Sequence, residues 1–200
     1  MHVHEAIRTR RAIKGFDPDF KLTADQQTEL LTLAIQAPTA FNLQHWRLVV
    51  VEDPELRKQM RAVAWDQSQI TDASLLVLLT GDLASWSKNA TRTWQDAPEP
   101  VRDFMVPAIS AYYDGKPQTQ RDEVMRSAGI VGQTLMLAAR GMGLDSCPMD
   151  GFDFDAVAKL IHLPQDHAIA FIVAIGKKTR EPWPKPGQLP LSEVVIRNRF

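Results

Sequence analysis

The chain has 200 residues, 44% apolar and 24% charged, a composition typical of one folded domain that excludes an intrinsically disordered protein. A formal net charge of −1 excludes the overall basic footprint of a protein that binds nucleic acid or an acidic membrane, so any anion site has to be local. No apolar run approaches the roughly 20 residues of a membrane span, the N-terminus lacks the apolar core of a signal peptide, and a single cysteine excludes a disulfide framework. These features predict a cytoplasmic protein.

The first part of the chain predicts two helices joined by a basic segment. An amphipathic helix near residues 2–9 runs into a loop, residues 10–14, that carries three cations within five positions. Thr23, followed three residues later by Gln26, is the pattern of a capping box. Apolar residues at helical spacing after this box predict a helix over 24–37.

Three apolar runs predict β-strands, and the first two are expected to be buried. They cover residues 46–51, 75–79 and 168–175, and the first and last are rich in β-branched side chains. Asp53-Pro54 supplies an N-cap and a proline at the first helical position, so a helix follows the first strand. Because helices and strands alternate irregularly, the pattern predicts an α+β fold with a mixed β-sheet flanked by helices.

A long helix is predicted over residues 120–142, and it is apolar on two sides. Val124 and Leu135 belong to one continuous apolar stripe, whereas Ile130 and Leu137 lie off that stripe. A helix of this kind is enclosed either inside one subunit or between two subunits.

Two segments are predicted to cover other parts of the protein or a partner chain. Residues 82–118 combine aromatic side chains with prolines, which predicts short helices that cover something else. Residues 177–200 form a proline-rich tail with little regular pattern. Because this tail carries Leu191 and Ile196, it is too apolar to stay in water and is expected to wrap over a partner chain.

Common cofactor and metal signatures are absent. Gly141-Met142-Gly143 lacks the third glycine of a dinucleotide fingerprint and falls at a helix end. The five histidines show no metal-ligand spacing, so no metal site is predicted. Cys147 is interpreted as a small buried hydrophobe, with a redox role as the open alternative.

Two loops carry polar groups suited to a phosphorylated heterocycle. Arg10, Arg11 and Lys14 can converge on a phosphate, because guanidinium forks match phosphate oxygens, although charge runs are usually just solvated. Asn42 and Gln44 each donate and accept hydrogen bonds, which suits the edge of a flat heterocycle; the alternative is that they are turn residues.

A third loop contains Asp150-Gly151, and its glycine allows a backbone N–H to approach a ligand closely. In their order and spacing the three loops resemble the FMN-dependent nitroreductase family. The resemblance runs nearly end to end and rests on seven short motifs: Arg10-Arg11-x-x-Lys14-x-Phe16, Leu22-Thr23, Ala37-Pro38-Thr39…Asn42-x-Gln44-x-Trp46, Thr71-Asp72-Ala73-Ser74, Gly141-x-Gly143-Leu144-Asp145, Asp150-Gly151-Phe152-Asp153 and Leu189-Pro190-Leu191-x-Glu193-Val194.

This resemblance implies a homodimer of nitroreductase-like fold, with a long central helix, a domain-swapped C-terminal tail and FMN held at the subunit interface. Residues 1–200 are then expected to form a single FMN-binding domain. Within it, about 82–118 would be a variable helical lid and about 177–200 a tail that wraps the partner subunit.

The resemblance also assigns residues to the cofactor. The basic residues fall where the FMN phosphate, the ribityl chain or the nicotinamide nucleotide is met, and the Pro38–Asn42 loop is expected to come from the partner subunit. Asp150-Gly151 stands where a backbone N–H is presented toward flavin N5, and no side chain is expected to be catalytic. The expected set is Arg10, Arg11, Lys14, Pro38, Thr39, Asn42, Gln44, Gln69, Asp150, Gly151 and Lys185.

Four features depart from the family pattern. Ala12 replaces a frequent serine, His45 replaces a frequent proline, and Gln69 is neutral where many relatives place a lysine. The tail lacks the Lys-x-Arg that often precedes Leu-Pro. Its cationic role is expected to pass to one of the nearby cations, with Lys185 favoured over Lys177, Lys178 and Arg180.

The implied function is an FMN-dependent NAD(P)H oxidoreductase that reduces nitroaromatics or quinones by ping-pong hydride transfer through flavin N5. NADH or NADPH is the co-substrate, and no feature of the sequence separates the two. Aromatic side chains are expected to border the substrate channel, although plain packing is their alternative: Phe41, Trp94, Phe104 and Tyr112.

Two other classes of function stay open. One is a specialised flavin enzyme of the same fold, of the dehalogenating or flavin-cleaving type, without general NAD(P)H reductase activity. The more remote one is a nucleic-acid-binding protein that uses the basic run over residues 8–14. On the favoured interpretation the partners are a second copy of the chain and small-molecule electron acceptors, not nucleic acid or a membrane.

Overall fold

A computed structural model describes residues 1–200 of the chain and shows an α+β arrangement of helices around one β-sheet. The helices are α1 (Val3–Thr9), α2 (Ala24–Ala34), α3 (Pro54–Ala62), α4 (Gln69–Asp72), α5 (Ser85–Thr93), α6 (Glu99–Tyr113), α7 (Pro117–Gly141), α8 (Phe154–Leu160) and α9 (Leu191–Val194). The strands are β1 (Trp46–Val50), β2 (Leu75–Asp82), β3 (Asp145–Met149) and β4 (His167–Gly176). None of the helices combines the length and the hydrophobicity needed to cross a bilayer.

The sheet has the strand order β1-β2-β4-β3, and all three ladders are antiparallel, so the sheet is not the mixed sheet that was expected. Its one parallel contact is an isolated bridge between Ala12 and Ser146. Every residue of β2 is buried, because this strand lies at the centre and has both faces covered. β1 was expected to be a buried strand, but it lies at the edge of the sheet and is mostly half-buried. The other edge strand, β3, was not predicted, since it is short and contains Pro148, a residue that edge strands tolerate.

The predicted long helix is confirmed as α7, which packs across the sheet. Its buried stripe runs from Val124 to Leu135 as expected. The backbone approaches the sheet closely at Gly132, where a Cβ would lie 2.4 Å from Cζ of Phe171. On the second apolar side Ile130 is 43% exposed, so within a single chain this side faces outward.

The helix ends follow the predicted capping signals with one correction. Thr23 and Gln26 form the reciprocal capping box at the start of α2, and Asp53 caps α3 with Pro54 at its first turn. However, α2 ends at Ala34, three residues before the predicted end. Residues 35–37 form tighter turns instead, because the proline that follows disfavours helical backbone in the residue before it.

Two segments lie outside the main layers. The helices α5 and α6 form a small core of their own with Leu43, and its other buried members are Ala90, Ile109 and Tyr113. The tail after Gly176 is extended, and its apolar residues are mostly exposed, including Leu191 at 74%. The tail therefore does not bury its apolar side chains against its own subunit.

Candidate cofactor site

The basic run lies between an edge strand and the beginning of the tail. The backbone N–H of Ile13 donates to the carbonyl of Ser146 in β3, at 3.1 Å. On the other side the N–H of Thr179 donates to the carbonyl of Gly15, also at 3.1 Å. These bonds fix the loop at both of its sides, so that its cations project into the space between the first residues of the chain and the tail.

That space is a cavity of about 670 Å³, which we call the cation pocket. Five of its lining residues are cations and one is an acid, so its potential is positive. The lining residues are Ile7, Arg10, Arg11, Ala12, Lys14, Arg180, Glu181, Pro182, Trp183, Pro184, Lys185 and Pro186. The structure therefore brings together the three predicted cations of the basic run and the predicted tail cation.

One guanidinium nitrogen in the cation pocket is buried and has no partner within the chain. Nη1 of Arg10 is shielded from solvent but makes no hydrogen bond. A buried donor without an acceptor is costly, and for a charged donor the cost is larger. Arg11 differs, since its Nη2 donates to the carbonyl of Trp183 and ties the loop to the tail. The unpaired donor and the surplus of positive charge fit a phosphate dianion such as that of FMN.

The contacts of the four tail cations divide them into two that lie outside the cation pocket and two that line it. Lys178 pairs with Glu181 at 2.7 Å, and Nζ of Lys177 lies 5.5 Å from the ring centroid of Phe20. Arg180 and Lys185 line the cation pocket instead. Nε of Arg180 lies 3.3 Å from the position that a Cβ of Gly15 would take, so this side chain rests on the basic loop.

Gln69 and Cys147 lie directly beneath the basic loop. Gln69 is buried, and both Gln69 and Lys14 lie close enough to the thiol to lower its pKa, while Sγ of Cys147 donates to the carbonyl of Pro148 at 3.6 Å. Burial raises the pKa of the Cys147 thiol, and the nearby cations and hydrogen bonds only partly oppose this rise. The thiol therefore stays protonated, which favours the interpretation as a buried small residue.

The turn after β3 carries Asp150, which is exposed, and Gly151. The indole ring of Trp65 lies against this glycine, since a Cβ there would be 2.6 Å from Cζ3 of Trp65. Nε2 of Gln67 donates to the carbonyl of Gly151 at 2.9 Å. The ring of Trp65 thus takes the space that a Cβ would need, and the glycine leaves its backbone open to close approach, as expected for a position where a backbone N–H meets a ligand.

Asn42 and Gln44 lie in a second cavity of about 560 Å³, which we call the amide pocket. Nε2 of Gln44 donates to Oδ1 of Asn42 at 3.3 Å, and the N–H of Gln44 donates to Oγ1 of Thr39 at 3.0 Å. Pro38, next to Thr39, is exposed. The residues that line the amide pocket are Asn42, Gln44, Trp46, Arg47, Asn89, Arg92, Thr93, Gln95 and Asp96.

The cation pocket and the amide pocket share no lining residue. Within one chain, the predicted cofactor residues are thus divided into two groups. This division is what a site built by two subunits requires, with the cations from one chain and the carboxamides from the other.

Three of the four predicted channel residues lie together near the amide pocket. The rings of Phe41 and Tyr112 are 5.6 Å apart in an edge-to-face arrangement, and Nε1 of Trp94 donates to the carbonyl of Phe41 at 2.8 Å. The fourth, Phe104, lies on the outer face of α6 and is 71% exposed.

His45 is buried just behind the amide pocket. Its Nδ1 lies 3.2 Å from Oγ of Ser127, while its Nε2 has no partner. Burial lowers the pKa of His45 to about 4, against the raising effect of Asp82. The imidazole is therefore neutral at pH 7, because a second N–H would be buried without an acceptor.

A charged cluster fixes the start of α5. Nζ of Lys88 lies 2.9 Å from Oδ2 of Asp82 and 2.5 Å from Oδ2 of Asp166. Hydrogen bonds from Lys88 and His167 lower the pKa of Asp166 to about 2. The two carboxylates and His167 lie close enough to share a metal ion, but the lysine ammonium already occupies the position between the carboxylates.

Comparison with known proteins decides the family. The sequence matches the family model of the nitroreductase family over residues 7–177. The chain belongs to the nitroreductase family. It is 48% identical over 200 residues to the protein DrgA of Synechocystis sp., with 98% of this chain and 95% of that protein covered. It is 29% identical to an NADH dehydrogenase of Thermus thermophilus, with 96% of this chain and 93% of that protein covered.

A solved nitroreductase-family structure supports the same assignment. It comes from Exiguobacterium sibiricum, is in complex with FMN, and has a TM-score of 0.89 at 26% identity, with 98% of this chain and 97% of that chain covered. Nitroreductases are FMN enzymes that use NAD(P)H. The family resemblance and the nitroreductase-like fold that the sequence predicted are thus confirmed.

Three residues that contact the predicted site residues or their loop were not predicted from the sequence. Trp65 lies on Gly151, Trp183 accepts a hydrogen bond from Arg11, and Asn89 contacts the loop of the amide pocket. An aromatic residue in a polar segment was the only available signal for the two tryptophans. No local pattern pointed to Asn89, whose importance depends on tertiary packing.

Proposed function

We propose that the protein is an FMN-dependent NAD(P)H oxidoreductase that reduces nitroaromatics or quinones. The observation that carries the proposal is the buried, unpartnered Nη1 of Arg10 in a cavity with four further cations. Such a donor needs an anionic acceptor, and the family's cofactor carries a phosphate. The family membership gives the reaction class.

The chain's own residues would bind and orient the cofactor. Arg10, Lys14 and Arg180, with Lys185, would hold the phosphate, and Gly151 would bring its backbone N–H close to the ring. When bound, FMN supplies the redox chemistry by accepting hydride from NAD(P)H at N5 and passing it to an electron acceptor. The protein would then contribute orientation and electrostatics, without a nucleophile of its own.

The proposed active form is a homodimer. Asn42 and Gln44 would come from one copy of the chain and the cation pocket from the other, because the two pockets are separate within each copy. The exposed tail, residues 177–200, would cover the partner subunit and bury its apolar side chains there. The helices α5 and α6 would then form a lid beside the site.

Double-mixing stopped-flow spectroscopy under anaerobic conditions tests this proposal. The FMN-loaded protein is reduced with one equivalent of NADH or NADPH and then mixed with a quinone, a nitroaromatic or an iodinated phenol. Rapid reoxidation by the quinone and the nitroaromatic supports a general reductase. Reoxidation by the halogenated compound alone, or loss of the flavin itself, would support a specialised enzyme and contradict the proposal.

A further inference from the structure

The loop that carries the two carboxamides has a strained backbone. Phe41, Asn42 and Gln44 have φ angles of 53°, 53° and 50°, in the left-handed region that residues other than glycine rarely adopt. Three such residues within four positions persist only when surrounding contacts fix them. The orientation of both carboxamides therefore depends on whatever fixes this backbone.

Two side chains of the α5 segment bind the carbonyls on either side of Asn42. The indole N–H of Trp94, the C-cap residue that follows α5, donates to the carbonyl of Phe41 at 2.8 Å. Nδ2 of Asn89 donates to the carbonyl of Leu43 at 3.1 Å. Both bonds involve carbonyls that the loop itself does not pair, so they add tertiary restraints on its backbone to the packing of Leu43 and Phe41.

The rest of α5 is anchored independently of the loop. Lys88 joins Asp82 at the end of β2, and the N–H of Ala84 donates to the same carboxylate at 2.8 Å. Ala90 of α5 is buried against Ile109 and Tyr113 of α6. The segment thus presents Asn89 and Trp94 from a fixed base.

We infer that Trp94 and Asn89 are positioning residues that hold Asn42 and Gln44 in the orientation that meets the flavin. This inference rests on the proposed function and adds to it that affinity for FMN is set in part by α5. The N–H of Trp94 is used within the protein, so its removal acts on the loop and not on a bound electron acceptor.

The substitutions W94F and W86F form a matched pair that tests the inference. Both exchange an indole for a phenyl ring in the same segment, but Trp86 stacks on Tyr113 with ring centroids 6.5 Å apart and donates to no carbonyl of the loop. Loss of one neutral hydrogen bond is expected to weaken FMN binding about 3- to 10-fold in W94F. The Kd of W86F for FMN is expected to stay within about 2-fold of the wild-type value.

Three further measurements separate positioning from general destabilisation. N89L, nearly isosteric, is expected to reproduce the loss of FMN affinity. Both W94F and N89L are also expected to shift the absorption spectrum of the bound flavin, because the carboxamides beside its ring are reoriented. In W94F the Kd for FMN is expected to change more than the KM for a quinone measured at saturating FMN, whereas a residue that acts mainly on the electron acceptor would show the opposite order. Equal losses in W94F and W86F, or a change confined to the KM for the quinone, would overturn the inference.

Amide hydrogen exchange of the FMN-free protein keeps the inference testable if no flavin binds. The N–H groups of Asn42, Leu43 and Gln44 are bonded within the loop and report its opening. We expect them to exchange faster in W94F and at the wild-type rate in W86F. Unchanged exchange in W94F would contradict the inference. A wild type that binds no FMN would instead contradict the proposed function.

Discussion

The cation pocket and the amide pocket hold their polar groups in different ways. In the cation pocket the charges come from two distant parts of the chain, and the Arg10 donor stays unpaired. In the amide pocket the carboxamides are neutral, bond each other, and lie on a strained loop held by α5. Recognition by charge depends on the number of cations and tolerates a change in which residue supplies them. Recognition by carboxamides depends on backbone orientation, and so on residues outside the pocket.

The largest expected effect is a loss of folding stability at acid pH, caused by His45 behind the amide pocket. The folded pKa of His45, about 4, is below its value of 6.5 in the unfolded chain, so the unfolded state binds the proton more tightly. The part of the unfolding free energy that depends on neutral His45 is therefore fully present above pH 6.5 and is lost progressively as the pH falls toward 4. The loss amounts to about 3 kcal/mol of unfolding free energy. Urea unfolding at both pH values measures it.

The substitutions H45L and H4Q are the matched pair for this prediction. When the pH is lowered from 6.5 to 4, the unfolding free energy of H45L is expected to fall by about 3 kcal/mol less than that of the wild type. H4Q, on the exposed surface of α1, is expected to follow the wild type. An equal loss of unfolding free energy in H45L and the wild type would show that His45 does not set the acid sensitivity.

The next effect tests whether charge governs the cation pocket. R10Q removes the unpaired guanidinium, and a charged hydrogen bond contributes about 2 kcal/mol, so the Kd for FMN is expected to rise about 30-fold. Riboflavin, which has no phosphate, is expected to bind the variant and the wild type equally. R8Q, exposed on α1 outside the pocket, serves as the control in the same fluorescence titration. An equal loss of affinity for FMN and for riboflavin would indicate that Arg10 contacts the flavin ring and not the phosphate.

A smaller effect is expected for the carboxamides. N42A removes neutral hydrogen bonds and is expected to weaken FMN binding about 5-fold. In contrast to R10Q, it is expected to weaken riboflavin binding by the same factor, because the carboxamide would meet the ring and not the phosphate. Q36A, on the exposed end of the preceding turn, is the control. A loss confined to FMN would contradict the assignment.

The smallest effect concerns the tail cations. R180Q is expected to raise the Kd for FMN about 3-fold at low salt, and less at high salt, because an exposed charge contributes about 1 kcal/mol or less. K178Q is expected to have no effect, since Lys178 does not line the cation pocket and its ammonium is already paired with Glu181. If K178Q weakened FMN binding more than R180Q, Lys178 and not Arg180 would be the tail cation beside the phosphate.

Local signals predicted much of the fold. The capping box at Thr23 and the Asp53-Pro54 start are set by neighbouring residues, and α7 shows a continuous apolar stripe. Strand β3 was missed because its five residues, DSCPM, lack an apolar run, and its pairing with β4 depends on a distant segment. The edge position of β1 was missed for the same reason, since apolar content does not specify neighbours in a sheet.

The candidate site was predictable in part. Composition identified Arg10, Arg11 and Lys14 as cations that could converge, and the structure places them in one cavity. Sequence alone could not separate Arg180 from Lys178, because that choice depends on which side chain rests on Gly15. Nor could it assign the indole N–H of Trp94 to the carbonyl of Phe41, a contact across 53 residues.

The absorbance spectrum of the purified protein, followed by anaerobic addition of NADH and then NADPH, tests the central claim most directly. A yellow protein whose flavin bands bleach within seconds is the predicted result, and the nucleotide that bleaches them faster is the preferred donor. A colourless protein that takes up no added FMN would contradict the assignment of Arg10, Asn42 and Gln44, and with it the proposed function.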